Sequence, residues 1–316
     1  MNQALAVVPI ALGYSTPLIL AALGGLFSER SGIVNVALEG IMMVGAFAAA
    51  TVTVLLEPLT PAAAWIGLAC GAASGLVYSL LHAAASIDMR ADQVVSGTAL
   101  NILAGGLTVF LCQIIFRQQR TDAFSSGLVR VSLPILGRLP ILGPALFNGV
   151  YPTFYLALLM CGLSWFILYK TPLGLRLRAC GEHPQAAASL GIDVRAMRYA
   201  GVLASGGLAG LAGAVMVLTS DIQYTLLSIH GSGFIALACL IFGAWRPAGI
   251  LGAALFFGSS QVLALYAKDI PFLSRIAPEA FSILPYALTV LALVAFSRRG
   301  GAGPRAAGEV YDPGKR

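Results

Sequence analysis

Apolar residues fall into long runs separated by short polar breaks along the 316-residue chain. The runs read as nine membrane-crossing segments, near 9–27, 36–56, 62–84, 96–116, 151–169, 199–218, 233–245, 248–266 and 279–296. A helical crossing takes about 20 residues. Segment 233–245 is too short for that, and Trp245-Arg246-Pro247-Ala248-Gly249 after it is a helix-breaking cluster. It is expected to be a broken or re-entrant element. The fold class is therefore all-α and polytopic, with roughly 8–10 transmembrane helices. An outer-membrane barrel is excluded, because its strands would alternate apolar and polar positions.

No linker marks a second soluble domain. Residues 1–298 read as one transmembrane domain containing a long loop at 170–198, and 299–316 as a basic, disordered cytoplasmic tail. The other long extramembrane stretch is 117–150. Composition agrees with a membrane protein: 58% hydrophobic residues, 10% charged residues and a mean hydropathy of +0.87. So few charges could not cover a water-soluble globule, for which about 25% is usual.

The net charge of +6 comes from residues in loops and tail, so it points to membrane orientation rather than to nucleic acid. With the N-terminus outside, thirteen of the 19 Lys and Arg fall inside, including five in 170–198 and five in the tail. The loop 117–150, with Arg117, Arg120, Arg130 and Arg138, votes the other way. The first basic residue is Arg30, so no secretory signal is expected and the first apolar run should be retained. The five cysteines form no CxxC or Cys/His pair, which argues against a metal site or a disulfide framework.

Several residues stand out within this pattern. In 170–198, Pro184 suits a first helical turn and Gly191 a left-handed helix end, which predicts a two-turn helix over 184–190. So short a helix must pack on something. It is either a plain linker or a docking element. Gly201, Ser205, Ala209 and Gly213 recur every four residues, as do Gly206, Gly210 and Ala214, and as do Gly67, Gly71 and Gly75. Such rows let helices pack closely.

Glu39, beside Asn35, sits in an apolar stretch. It either faces a cavity or partner, or is hydrated near the interface close to Arg30. Asn101, Gln113 and Gln261 either line a passage or bond a neighbouring helix. Asp92, with Gln93 and Ser96, is expected to cap a helix start. His82 and His230 read as interfacial, and Trp65 and Trp245 as aromatic-belt residues. The glycine-broken stretches 32–47 and 233–253 echo one another, one in each half. In transporters, such pairs mark a substrate path, and packing glycines are the plainer account.

The loop also carries a resemblance. Gln185-Ala186-Ala187, three residues and then Gly191 is similar to the EAA---G signature of bacterial ABC importer permeases, with Gln185 where that signature has Glu. GLRLRACGEHPQAAASLGIDV resembles the permease group for branched-chain amino acids, simple sugars and nucleosides. GLFSERSGIVNVALEGIMMVGAF and RADQVVSGTALNILA look like its nucleoside and simple-sugar branch. The resemblance implies the ABC importer permease fold in a bacterial inner membrane, with the C-terminus cytoplasmic. It implies that Glu182, Pro184, Gln185, Ala186, Ala187 and Gly191 couple the chain to a cytoplasmic ABC ATPase.

It further implies a second permease subunit, an extracytoplasmic solute-binding protein and transport of a nucleoside or simple sugar by alternating access. Asn35, Glu39, Asn101, Gln113 and Gln261 are the candidate path residues, and Gly201, Ser205, Gly206, Gly210 and Gly213 the packing residues. The chain has no GxxxxGK[ST] motif, so ATP-Mg would sit on the partner ATPase and this subunit would bind no cofactor and catalyse no reaction. An ion-coupled secondary transporter, resting on Glu39, is the alternative. A membrane enzyme or scaffold is the third class.

Overall fold

A computed structural model describes residues 2–132, 143–229, 231–266, 283 and 303–312. Among the described residues ten α-helices run in order: α1 (Asn2–Arg30), α2 (Leu38–Leu56), α3 (Ala63–Ala83), α4 (Gln93–Phe116), α5 (Pro152–Lys170), α6 (Pro172–Glu182), α7 (Pro184–Ser189), α8 (Val194–Ser220), α9 (Ser232–Phe242) and α10 (Pro247–Tyr266). Seven of them are long and apolar enough to cross a membrane: α1 to α5, α8 and α10. A π-helical turn, Ala84–Asp88, extends α3. The ninth expected segment, 279–296, lies outside the described residues apart from position 283.

Local chemistry sets the helix boundaries. Asp92 accepts the amides of Val94 and Val95 at 2.9 Å each, Thr171 accepts Gly174 N–H, and Asp193 accepts Ala196 N–H. Prolines open α5, α6, α7 and α10, where the missing N–H costs nothing.

Packing places α1, α2 and α8 at the centre, with one face of α3 against α2 and α8. Helices α2, α3 and α8 meet backbone to backbone. A Cβ placed on Gly75 would stand 2.5 Å from Gly210 Cα, and one on Gly45 would be equally close to the same atom. Gly206 faces Ser79, Gly213 faces Met42, and Gly201 faces Ser31, while the Ser205 carbonyl lies against Gly24 of α1. Where Gly45 and Gly75 meet Gly210, backbone touches backbone with no side chain between.

The two ends of the bundle differ. At one end, residues 121–128 are stitched to the connection after α8: Leu128, Phe124 and Thr121 donate their amides to the carbonyls of Leu218, Ile222 and Tyr224. Glu57, just past α2, accepts the amides of Ser125 and Ser126 and the Ser125 hydroxyl. These hydrogen bonds, above all that of the Ser125 hydroxyl, hold its carboxyl below the usual carboxylate range. At the other end lie α6, α7, the start of α8 and part of the tail.

The tail departs from the expectation of disorder. Residues 303–312 lie against the bundle because their backbone finds partners there: Ala306 N–H donates to Gly181 O at 2.9 Å and Gly308 N–H to Gly32 O at 3.3 Å. His82 also departs from its expected interfacial place. It is fully buried, with Nδ1 against Ser96 Oγ and Nε2 against Val34 O, both at 3.1 Å. Trp245 is half-buried and donates its indole N–H to Glu29, so a polar partner inside the protein fixes it rather than an aromatic belt. His230 lies outside the described residues.

Candidate functional site

Two places concentrate polar side chains and irregular backbone: the short helix α7 and the paired breaks at 31–37 and 221–231.

Helix α7 has six residues. Pro184 and Ala187 face inward and are buried. Gln185, Ala186 and Ser189 are exposed, and Leu190 is 82% exposed. Cys180, Ala187 and Val194 form a small apolar cluster with Ala179, Ala188, Ile192, Met197 and Tyr311 around it. Burial pushes the Cys180 thiol up.

The end of α7 is a Schellman motif. Gly191 takes φ +81°, its amide donates to Ala188 O at 2.9 Å, and Ile192 N–H donates to Ala187 O at 3.1 Å. Helix α7 therefore presents one mixed face, Gln185, Ala186, Ser189 and Leu190, outward from a fixed frame. Glu182, the carboxylate nearest Gln185, is turned toward the bundle and pairs with Arg30 at 3.5 Å. Arg30 also donates to Trp245 O at 2.9 Å, which ties the root of α7 to the break between α9 and α10. That break runs through Ala244 and Trp245, both at positive φ.

The second place is built from unwound chain inside the bundle. Each backbone group here needs a partner, because lipid offers none. Side chains from α1, α3 and α4 supply them in the 31–37 break, Ser28 of α1 by donating its hydroxyl to Ile33 O at 2.7 Å. Gln93 accepts Val34 N–H at 2.7 Å, and His82 meets the Val34 carbonyl. Asn101 accepts Gly40 N–H at 2.7 Å and donates to Val36 O at 3.0 Å. Asn35 is fully buried; it accepts Ala37 N–H and donates to Ser205 Oγ at 2.9 Å.

The 221–231 break is held likewise. Tyr224 is fully buried, stacks edge-on against Phe47 at 5.8 Å, and donates its hydroxyl to Thr108 at 3.0 Å.

Glu39 joins the two breaks. It is buried in the first turn of α2, and its carboxylate accepts Gly231 N–H at 2.8 Å and Gly233 N–H at 2.6 Å. These amides lie at the start of α9, where Gly231, at φ +78°, has no side chain to cap with. A negative charge there is favoured by the helix dipole. Helix α9 has 11 residues, about 16 Å at 1.5 Å per residue, or half of a ~30 Å hydrocarbon core. The echoed stretches 32–47 and 233–253 thus touch at a buried carboxylate. The remaining path candidates lie elsewhere: Gln113 on the exposed face of α4, and Gln261 half-buried in α10.

The sequence did not mark His82, Gln93 or Tyr224 as parts of these frames. Only His82, a polar group in an apolar run, carried a signal of such a role. Among the described residues, no group of three or more His, Cys, Asp or Glu could hold a metal ion.

A family described as "Branched-chain amino acid transport system / permease component" matches residues 9–293. The "Guanosine ABC transporter permease protein NupQ" of Bacillus subtilis (strain 168) is 47% identical over 311 residues, covering 98% of this chain and 97% of that protein. The "Nucleoside ABC transporter permease protein NupC" of Lactococcus lactis subsp. cremoris (strain MG1363) is 40% identical over 315 residues, covering 98% of both. The "Guanosine ABC transporter permease protein NupP" of Bacillus subtilis (strain 168) is 26% identical over 272 residues, covering 85% of this chain and 76% of that protein. With its seven apolar helices, paired broken segments and family match across nearly its whole length, the chain belongs to the permease components of branched-chain amino acid-type transport systems.

Proposed function

We propose that this chain is the membrane permease subunit of an ATP-driven ABC importer, and that its solute is a nucleoside. Near-full-length identity to two nucleoside permeases supports the solute class. The observation that carries the coupling role is α7: a short helix with an exposed outward face and a rigid Schellman end, rooted through Glu182 and Arg30 in the α9–α10 break.

In this reading Gln185, Ala186 and Ser189 meet a groove on a cytoplasmic ATPase, and Gly191 fixes the angle at which α7 is presented. ATP-Mg belongs to that partner. Closure of the ATPases moves α7, and the movement reaches α9 through Arg30 and Trp245. The solute path runs beside the joint of the two broken segments. Glu39, Asn35 and Asn101 shape it by holding unwound backbone in place, and Gln113 and Gln261 border it from α4 and α10.

A second permease subunit completes the path. Two guanosine permease proteins of one organism, 47% and 26% identical to this chain, favour a heterodimer. An extracytoplasmic binding protein delivers solute to the end of the bundle where Glu57 holds Ser125. Helix α7 and the tail face the cytoplasm.

The test is uptake of radiolabelled guanosine, adenosine and ribose by cells or vesicles containing the assembled complex. Nucleoside uptake is expected to require ATP and to survive an ionophore. Uptake that persists after ATP depletion and collapses with the ionophore makes the protein a secondary transporter instead.

A further inference from the structure

The tail segment 303–312 contacts α6 and α8, the helices on either side of α7, and also reaches the 31–37 break and Trp245. Arg305 N–H donates to Glu182 at 3.4 Å, one residue before the break that precedes the helix. Ala306 N–H bonds Gly181 O, and Gly308 N–H bonds Gly32 O in the 31–37 break. Arg198 of α8 donates Nη1–H to Glu309 O at 3.1 Å, and its guanidinium lies 5.7 Å from the centre of the Tyr311 ring. Arg90, beyond α3, pairs with Asp312 at 3.5 Å. Gly303 lies against the Trp245 ring.

The placement is one-sided. Tyr311 closes the cluster of Cys180, Ala187 and Val194 on the inward face of α7, and leaves Gln185, Ala186, Ser189 and Leu190 uncovered. A six-residue helix has too few internal hydrogen bonds to hold its own shape. Its rigidity has to come from what backs it. Helices α6 and α8 supply part of that backing, and the tail supplies the side that faces the bundle.

We propose that residues 303–312 are a strap that positions the coupling helix, locking α7 to the 31–37 break and the α9–α10 break so that they move together. Tyr311 and Arg198 are its principal positioning residues. The strap stays clear of the face offered to the ATPase, so it transmits force rather than blocking docking. This inference rests on the coupling role proposed for α7.

The test uses the full transporter complex, with the chain ended after residue 302, with Tyr311→Ala and, in parallel, with Gly191→Val. ATP hydrolysed per nucleoside imported is measured along with recovery of the permease–ATPase complex. The truncation and Tyr311→Ala are expected to assemble with the ATPase and to raise the ATP-to-solute ratio several-fold. An unchanged ratio in both, while Gly191→Val raises it, overturns the strap and leaves the coupling helix standing. An unchanged ratio in all three overturns the coupling reading itself.

A second readout is local. With Cys70, Cys112, Cys161 and Cys239 replaced by Ala, the remaining Cys180 thiol is buried beside Tyr311. Loss of the strap should speed maleimide labelling of Cys180 by roughly tenfold or more, as expected when a local opening becomes easier. Labelling as slow in Tyr311→Ala as in the wild type means that Tyr311 does not hold this cluster closed. Should the truncated chain fail to accumulate, Tyr311→Ala and Ala306→Pro, which deletes the N–H donated to Gly181, decide the matter by the same two measurements.

Discussion

Glu39 and Gly191 show how much a single position can and cannot reveal in sequence. Gly191 was legible: a left-handed residue closing a proline-started helix has few rivals, and its φ is +81°. Gly191→Val forces a β-branched side chain into that region, at a cost of about 1–2 kcal/mol or more. It should leave the subunit inserted but raise ATP consumed per solute, as measured in proteoliposomes. Wild-type coupling in this variant removes the lever.

Glu39 was legible as costly and not as a cap, because its partners lie 192 and 194 residues away. Glu39→Ala leaves the buried Gly233 amide and the half-buried Gly231 amide unpaired, a loss of about 1–3 kcal/mol for the buried one. Thermal denaturation of the purified subunit should show a lower midpoint, with a smaller drop for Glu39→Gln. Equal midpoints for all three chains contradict the capping role.

Glu57 gives a pH prediction. Its folded pKa is lowered by the Ser125 and Ser126 hydrogen bonds. The contact is therefore at full strength above the unfolded carboxylate value of about 4.3, and is lost as pH falls through the lower folded value. Hydrogen exchange at the Ser125 and Ser126 amides, taken relative to Glu57→Ala at each pH, should show protection near neutrality that disappears only in strong acid.

Elements were read more securely than their joints. Hydropathy found the seven long spans and singled out 233–245 as too short, because a run of apolar side chains reports length directly. It could not place the ends of α8, which begins at Val194 rather than near 199, since Arg195 and Arg198 look like loop residues until Asp88 and the tail take them up. Helix α6 was missed for the same reason: its Arg176 and Arg178 masked a helix that starts on Thr171-Pro172. The 31–37 and 221–231 breaks were visible only as glycines and stray polar residues, because the groups that satisfy their backbones come from other helices. Gly210→Leu tests the packing at this scale. The added side chain has no room between α2 and α3, and the expected result is loss of the folded subunit from detergent extracts, with Gly252→Ala, where nothing lies within 4 Å, as the tolerated control.

At the scale of the whole molecule, the two ends of the bundle are chemically distinct, and the tail shares an end with α6 and α7. Cysteines introduced at Leu190 and Leu59, both highly exposed and at opposite ends, should react with a membrane-impermeant maleimide from opposite sides of the membrane. Leu190→Cys should react only from the cytoplasmic side. Helices α4 and α5 keep large side chains outward, among them Ile102, Phe110, Leu159 and Phe166. These faces suit lipid or a second permease, which charge patterning alone could not distinguish from core.

The bare backbone contact of Gly45 and Gly75 with Gly210 has a mechanical consequence. At these crossings a shift of even one atom's width would drive carbonyls into Cα atoms. Whatever rearrangement lets cargo through must carry α2, α3 and α8 as a single slab. The hinges then fall at the slab's margins, where half-length α9 is joined to α2 through one carboxylate.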